Sequence, residues 1–155
     1  MTRIATCLCG DTMVSCEGEP LLHAQCSCRG CQKMTGAPSA YWIYYPADKV
    51  RSEGDLKPFK REATLAEGPT IHNCIKCGST AFAEIGWAPE VLGLEVRAVL
   101  YGSFEDPDFD APQIAVWNRY LPSWLESSAP AECTMEEQTA TLAELRESLI
   151  ELGVL

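Results

Sequence analysis

Cys74-Ile75-Lys76-Cys77-Gly78 and, near the start of the chain, Cys7-Leu8-Cys9-Gly10 are the stretches whose reading decides the fold. A Cys-x-x-Cys spacing lets two thiolates turn inward around a small tetrahedral ion, while Cys-x-Cys puts both side chains on one side of an extended segment. Gly78, just past the second thiolate, lets backbone amides turn toward the sulfurs as in a zinc knuckle. Such a knuckle needs two more ligands from elsewhere. Between the two stretches lies a third cluster, Cys26-Ser27-Cys28-Arg29-Gly30-Cys31, so that seven of the nine cysteines are grouped.

The count constrains the sites. A closed structural zinc takes four protein ligands, whereas a catalytic one often takes three and leaves a position open, and seven divides as four plus three. The economical pairing joins Cys7 and Cys9 with Cys74 and Cys77, which stitches the first strand to a distant hairpin. Cys26, Cys28 and Cys31 then form a local three-thiolate site. In the alternative pairing Cys28 and Cys31 complete the tetrad. Cys16 and Cys133 have no cluster partners and read as small buried hydrophobes. Nine is odd, so a framework of paired disulfides would leave a thiol over; metal ligation accounts for the cysteines better.

At 155 residues the chain is long enough for one domain with a sizeable core. Twelve Lys and Arg against 22 Asp and Glu give a net charge of -10, and ionising seven cysteines around two Zn²⁺ would take it to about -13. A phosphate backbone would be repelled, which argues against a nucleic-acid partner. Met1-Thr2-Arg3-Ile4 is not followed by a long apolar run, and no later stretch approaches the roughly 18 to 20 apolar residues of a membrane span. With thiols kept reduced, the expected setting is soluble and cytoplasmic.

Patterning predicts a mainly β chain. Strands are expected at 3 to 8, 12 to 16, 21 to 26, 39 to 45, 56 to 61, 70 to 74 and 80 to 85, then over 91 to 101 in two pieces and at 113 to 117. Turns at Gly10-Asp11, Glu17 to Pro20, Glu53-Gly54-Asp55 and Glu67-Gly68-Pro69 separate them. Ser39-Ala40-Tyr41-Trp42-Ile43-Tyr44-Tyr45 reads as a central strand, with Trp42 and Tyr44 on one face and Tyr41, Ile43 and Tyr45 on the other. Trp124 reads as a core plug. From Thr134 the period changes: Leu142, Leu145, Leu149 and Leu152 form a helical stripe, Thr134 with Glu137 makes a capping box and Gly153 supplies the stop, predicting a helix over 134 to 152. One such helix is weak alone, so its leucine face rests on the sheet domain or on a second copy in a homodimer. The division expected is a zinc-binding β domain over 1 to 128 and a helical extension over 129 to 155.

Zinc with three thiolates carries net -1, a weaker Lewis acid than a histidine-ligated zinc and suited to an incoming sulfur, which would lose its proton there. An electrophile such as an aldehyde carbon would then lie beside it. The competing reading closes this second site with His23 or a neighbouring chain and makes the protein a zinc-stabilised binding module or scaffold. A methionine sulfoxide reductase would need Cys133 as its nucleophile, and the flank Pro130-Ala131-Glu132-Cys133-Thr134 lacks the aromatic and histidine context for that.

Together, Thr6-Cys7-Leu8-Cys9-Gly10, Cys26-Ser27-Cys28-Arg29-Gly30-Cys31-Gln32-Lys33-Met34-Thr35-Gly36 and Cys74-Ile75-Lys76-Cys77-Gly78-Ser79 resemble the glutathione-dependent formaldehyde-activating enzyme family, also called centromere-protein-V-like. Gly102-Ser103-Phe104-Glu105-Asp106-Pro107 resembles its Gly-Thr-Leu-Asp-Asp-Pro element and Pro122-Ser123-Trp124 its closing Pro-Trp element, and coverage is about 3 to 125. The resemblance implies an Mss4-like β-tent with two zincs, a structural one on Cys7, Cys9, Cys74 and Cys77 and a catalytic one on Cys26, Cys28 and Cys31. It implies formation or release of S-hydroxymethylglutathione, a carbon-sulfur lyase chemistry, with glutathione or another thiol as co-substrate and formaldehyde or a related electrophile as partner. Ser27 stands where the family commonly has His. Glutathione's two carboxylates need cations, for which Arg29 and Lys33 beside the cluster are first candidates and Arg97 and Arg119 more distant ones. His23 and His72 precede cluster cysteines and are candidate proton shuttles, His23 the better placed. Trp117, Asn118 and Arg119 could wall a cleft.

Overall fold

The structure is a computed structural model describing residues 1–63 and 66–153. Ten strands form two sheets. A three-stranded sheet is built from β1 (Thr2–Thr6), β2 (Met13–Glu17) and β5 (Val50–Glu53) in that spatial order. The larger sheet runs β10 (Ile114–Val116), β3 (Leu22–Cys26), β4 (Ala40–Pro46), β9 (Val96–Leu100), β8 (Thr80–Glu84), β7 (Thr70–Cys74) and β6 (Leu56–Lys60). All pairings are antiparallel except that of β10 with β3. The fold is mainly β, as the patterning predicts. No helix among the described residues is long and apolar enough to cross a membrane.

β4 is the central strand expected from its aromatic run, and its alternation divides the molecule. Ile43 and Tyr45, both fully buried, enter a core with Val14, Cys16, Val50, Phe82 and Val99 that joins the two sheets. Trp42 and Tyr44 face the other way, into a cluster that contains Cys26, Cys28 and Cys31. One strand thus carries the structural core on one face and the candidate site on the other, because successive side chains on a strand point to opposite faces.

Among the described residues there are three α-helices: α1 (Arg29–Thr35), α2 (Ala88–Leu92) and α3 (Leu142–Glu151). The segment 91 to 101 is therefore not two strands: its first part ends α2, which Pro89 starts and Gly93 stops in the left-handed conformation at φ 71°. The C-terminal helix begins at Leu142, not near Thr134. Thr141 caps it, its hydroxyl accepting from the Glu144 amide at 3.2 Å. Thr134 instead closes a short 3-10 turn at Ala131–Cys133 and bridges Ala115 beside β10. Trp124 is 73% exposed, so it plugs nothing in this chain.

The leucine stripe is real. Leu149 is buried against Leu22, Ala24, Val91 and Ile114, with Leu142, Leu145 and Leu152 around it, and Arg146 Nη1 donates to the Val91 carbonyl at 2.6 Å. Truncating Leu149 leaves a void between α2, α3 and the sheet, so Leu149→Ala is expected to cost about 2–5 kcal/mol in urea unfolding. The exposed neighbour Ile150, changed to Ala, is expected to cost less than about 1 kcal/mol in the same experiment.

Candidate metal centres

Two hairpin ends build the first cluster. After β1, the Cys7 amide donates to the Thr12 carbonyl at 3.0 Å and the Thr12 amide to Cys7 Sγ at 3.2 Å, while Gly10 turns the loop at φ 79°. After β7, the Cys74 amide bonds to the Ser79 carbonyl at 2.8 Å and Gly78 makes the matching turn at φ 77°. The Ser79 hydroxyl accepts from the Leu8 amide at 3.2 Å and lies 3.3 Å from Cys77 Sγ, tying the two turns together. Cys7, Cys9, Cys74 and Cys77 converge, with every sulfur within 4.8 Å of the others.

The second cluster is local. Cys26 ends β3, Cys28 is the N-cap of α1 and Cys31 lies in its first turn, where the Cys31 amide donates to Cys28 Sγ at 3.3 Å. Gly36 stops the helix at φ 69°, and Ala37 and Pro38 lead back toward β4. The three sulfurs lie within 4.8 Å of one another.

Both sets fit a tetrahedral thiophilic ion. Zinc–sulfur bonds of about 2.3 Å separate neighbouring ligand sulfurs by about 3.8 Å; Cys7 and Cys9 sulfurs are 3.4 Å apart and those of Cys9 and Cys74 are 3.8 Å apart. All nine cysteines are free thiols. The crowding shows in their acidities. Within the second cluster, hydrogen bonds from Cys26 and then Cys31 pull Cys28 well down, while bonds to Cys28 and Cys31 push Cys26 far up. Hydrogen bonding from Ser79 pulls Cys77 down to about 5. Close thiols cannot all ionise without a cation among them, which is the chemistry of a metal donor set.

The two clusters differ in their surroundings. Cys26, Cys28 and Cys31 form part of the wall of a cavity of about 150 Å³, together with Trp42, Tyr44, Trp87 and Trp117. Two residues with no motif to announce them join this site. Arg61, thirty positions beyond Cys31 in the chain, brings Nη1 to 3.7 Å from both Cys28 and Cys31 sulfurs. Tyr44 lines the cavity, and burial raises its phenol above the ordinary range, with the neighbouring cysteines adding to the rise, so the hydroxyl stays protonated at neutral pH.

The expected site residues divide. Trp117 lines the cavity in the left-handed conformation at φ 61°, its Nε1 donating to Gln138 Oε1 at 3.2 Å. The neighbouring Asn118 amide donates to the Met135 carbonyl at 2.9 Å. Arg29 and Lys33 are exposed on α1, and Arg29 is bonded to Gln32. Arg119 is exposed and paired with Glu137. Arg97 is engaged by the Val50 carbonyl at 2.8 Å. His23 faces the opposite side of β3 from Leu22, Ala24 and Cys26, which line the cavity. Its ring stacks on Tyr101, and Nδ1 lies 2.8 Å from the Asp110 carbonyl. Burial lowers its pKa. Ser27, on that same far side, bonds to Ser39 at 2.8 Å. His72 stacks on Phe82 beside Glu84.

Residues 2–120 match the family model described as glutathione-dependent formaldehyde-activating enzyme. No curated protein matches the chain. Among solved structures, the crystal structure of a Rhodobacter sphaeroides protein, a Northeast Structural Genomics target, is similar over 68% of this chain and 88% of that one, at 18% identity and a TM-score of 0.48.

The loop that carries Arg61 is held by close backbone approach. A Cβ on Gly68 would lie 1.6 Å from the Arg61 carbonyl oxygen, and one on Gly86 2.1 Å from that of Glu67. Gly68→Ala therefore has to displace backbone and is expected to cost about 1–3 kcal/mol in urea unfolding. Gly30→Ala meets only the Arg61 side chain, its guanidinium at 2.5 Å, and is expected to change stability by less than about 1 kcal/mol.

Proposed function

Because the chain belongs to the glutathione-dependent formaldehyde-activating enzyme family, we propose that it is a zinc-dependent enzyme of the carbon-sulfur lyase type, joining a thiol such as glutathione to formaldehyde or a related small electrophile, and releasing it in reverse. The observation that carries this reading is the contrast between the clusters: a four-sulfur set knotted between two hairpin ends, and a three-sulfur set with one side on a cavity. In this reading Cys7, Cys9, Cys74 and Cys77 hold a structural zinc and Cys26, Cys28 and Cys31 a catalytic one. A zinc bound at the three-cysteine site would favour the thiolate form of an incoming thiol.

The chain's own residues do the rest. Arg61 places a positive charge against the cluster, offsetting its thiolates and the negative charge that develops as sulfur meets carbonyl. In the forward direction an S–C bond forms, the carbonyl π pair moves onto oxygen and a proton is added there. Tyr44, held protonated, is the hydroxyl on the cavity wall assigned to that transfer, in place of His23 on the other face. Arg29 and Lys33, exposed on the helix that bears two of the cysteines, are the cations assigned to the carboxylates of glutathione. Trp117 forms the adjoining wall; Asn118, next in the chain, is not among the residues that line the cavity.

Metal analysis with zinc-edge absorption spectroscopy tests the assignment. Two zincs per chain are expected, and glutathione should raise the average sulfur coordination; one zinc, or two closed sites indifferent to thiols, would sink the enzyme reading in favour of a zinc-stabilised binding module. Cys77→Ser should remove the structural metal and most of the folded stability measured by circular dichroism. Cys28→Ser should retain the fold and lose more than about 100-fold in thiol addition, beyond the loss typical of altering a ligand's outer partner. Tyr44→Phe should keep both metals while its kcat falls about 10²–10⁴-fold.

A further inference from the structure

The cavity beside Cys26, Cys28 and Cys31 is built for something larger and more apolar than formaldehyde. Its volume, about 150 Å³, is that of a protein cavity that admits benzene. Its wall is aromatic and aliphatic: Trp42 and Tyr44 from β4, Trp87 at the start of α2, Trp117 just after β10, and Leu145 and Leu149 from α3.

Most polar side chains at its wall already have a partner, the Tyr44 hydroxyl excepted. Arg61 is the one cation among the described lining residues, and its guanidinium lies against the sulfurs of Cys28 and Cys31. Glu67 is bonded to Lys60, and Gln138 accepts from Trp117 Nε1. With Arg61 set against the sulfurs and no second cation among the described lining residues, the two carboxylates of glutathione find no pair of partners inside it, so the body of that thiol stays outside and the interior is left to the electrophile. A two-heavy-atom aldehyde would leave most of this space empty and forfeit the contact energy of its walls.

The roof of the cavity lies beyond the part of the chain that the family shares. Gln138, Leu145 and Leu149 all follow residue 120, where the family match ends. The same C-terminal segment holds Trp117 in its place, since Met135 accepts from the residue after it and Gln138 from its indole. A bulky side chain in the left-handed region is an outlier that persists only where its surroundings fix it. The wall is thus set in part by a segment that follows the residues matched to the family.

We infer that this cavity selects an aldehyde bearing an apolar group of about the size of a phenyl ring as the electrophile, an inference that rests on the thiol-addition reading above. The thiol S–H adds across the aldehyde C=O: the S–C bond forms, the π pair passes to oxygen, and the proton lost from sulfur is balanced by one gained at that oxygen. The product is an S-(1-hydroxyalkyl) thioether, and no oxidant or reductant is consumed.

The test uses the zinc-loaded full chain. Benzyl alcohol, an unreactive stand-in for benzaldehyde, should shift the tryptophan emission saturably, because Trp42, Trp87 and Trp117 all line the cavity, whereas glycerol should not. With glutathione, and after subtraction of the protein-free rate, kcat/KM for benzaldehyde should exceed that for formaldehyde at least about tenfold, since one missing methylene in an apolar pocket already costs about 10–200-fold. Leu145→Trp, which fills the cavity from α3, should lower the benzaldehyde value more than the formaldehyde value. Absence of saturable benzyl alcohol binding, or formaldehyde used as well as benzaldehyde, overturns this inference and leaves the thiol-addition reading standing. Absence of any rate above background with both aldehydes overturns the two together.

Discussion

The convergence of four thiols from two hairpin ends is the constraint on which the rest of the structure depends. Cys7 and Cys9 leave the three-stranded sheet, Cys74 and Cys77 leave the seven-stranded one, and their sulfurs meet within 4.8 Å. Four thiols so close oppose one another's ionisation, so the arrangement suits a dication at its centre. Ser79 and two glycines in the left-handed conformation orient the turns, which means that backbone geometry as well as ligand identity is committed to this junction.

With the sheets fixed, β4 can serve two environments at once. Ile43 and Tyr45 fill the core between the sheets, and Trp42 and Tyr44 form the floor of the cavity beside the three-cysteine cluster. Rigid strands therefore aim the site's side chains, while the short helix α1 presents two of its cysteines from one turn. The second cluster differs from the first in having an arginine against two of its sulfurs and apolar space beside it. In the proposed reaction, the positive charge on one side and the apolar wall on the other would strengthen electrostatic interactions at the sulfurs.

The C-terminal segment does more than cover apolar surface. It buries Leu149 against α2 and the sheet, supplies the cavity roof and fixes the backbone around Trp117. Stability and the shape of the cavity are consequently coupled, because the residues that pack the helix also line the space next to the cysteines.

Apart from β5, which no expected strand covered, and the first part of 91 to 101, the strand pattern and the three cysteine clusters were legible by themselves, because period-two alternation and ligand spacing are local properties: 70 to 74 coincides with β7, and 39 to 45 lies within one residue of β4 at either end. The start of the last helix was not. Thr134-Met135-Glu136-Glu137 and Thr141-Leu142-Ala143-Glu144 carry the same capping signature, and only the bridge between Thr134 and Ala115 assigns the first to the sheet edge. Trp124 looks like core by type and is exposed, since nothing among the described residues comes to cover it. Arg61, Tyr44 and the side of β3 on which His23 lies are likewise products of tertiary structure: a strand's register decides which face meets the cavity, and a loop held by Gly68 and Gly86 decides which distant cation reaches the sulfurs. Sequence determined which ligands exist and how they are spaced; the three-dimensional packing of distant segments decided what stands next to them.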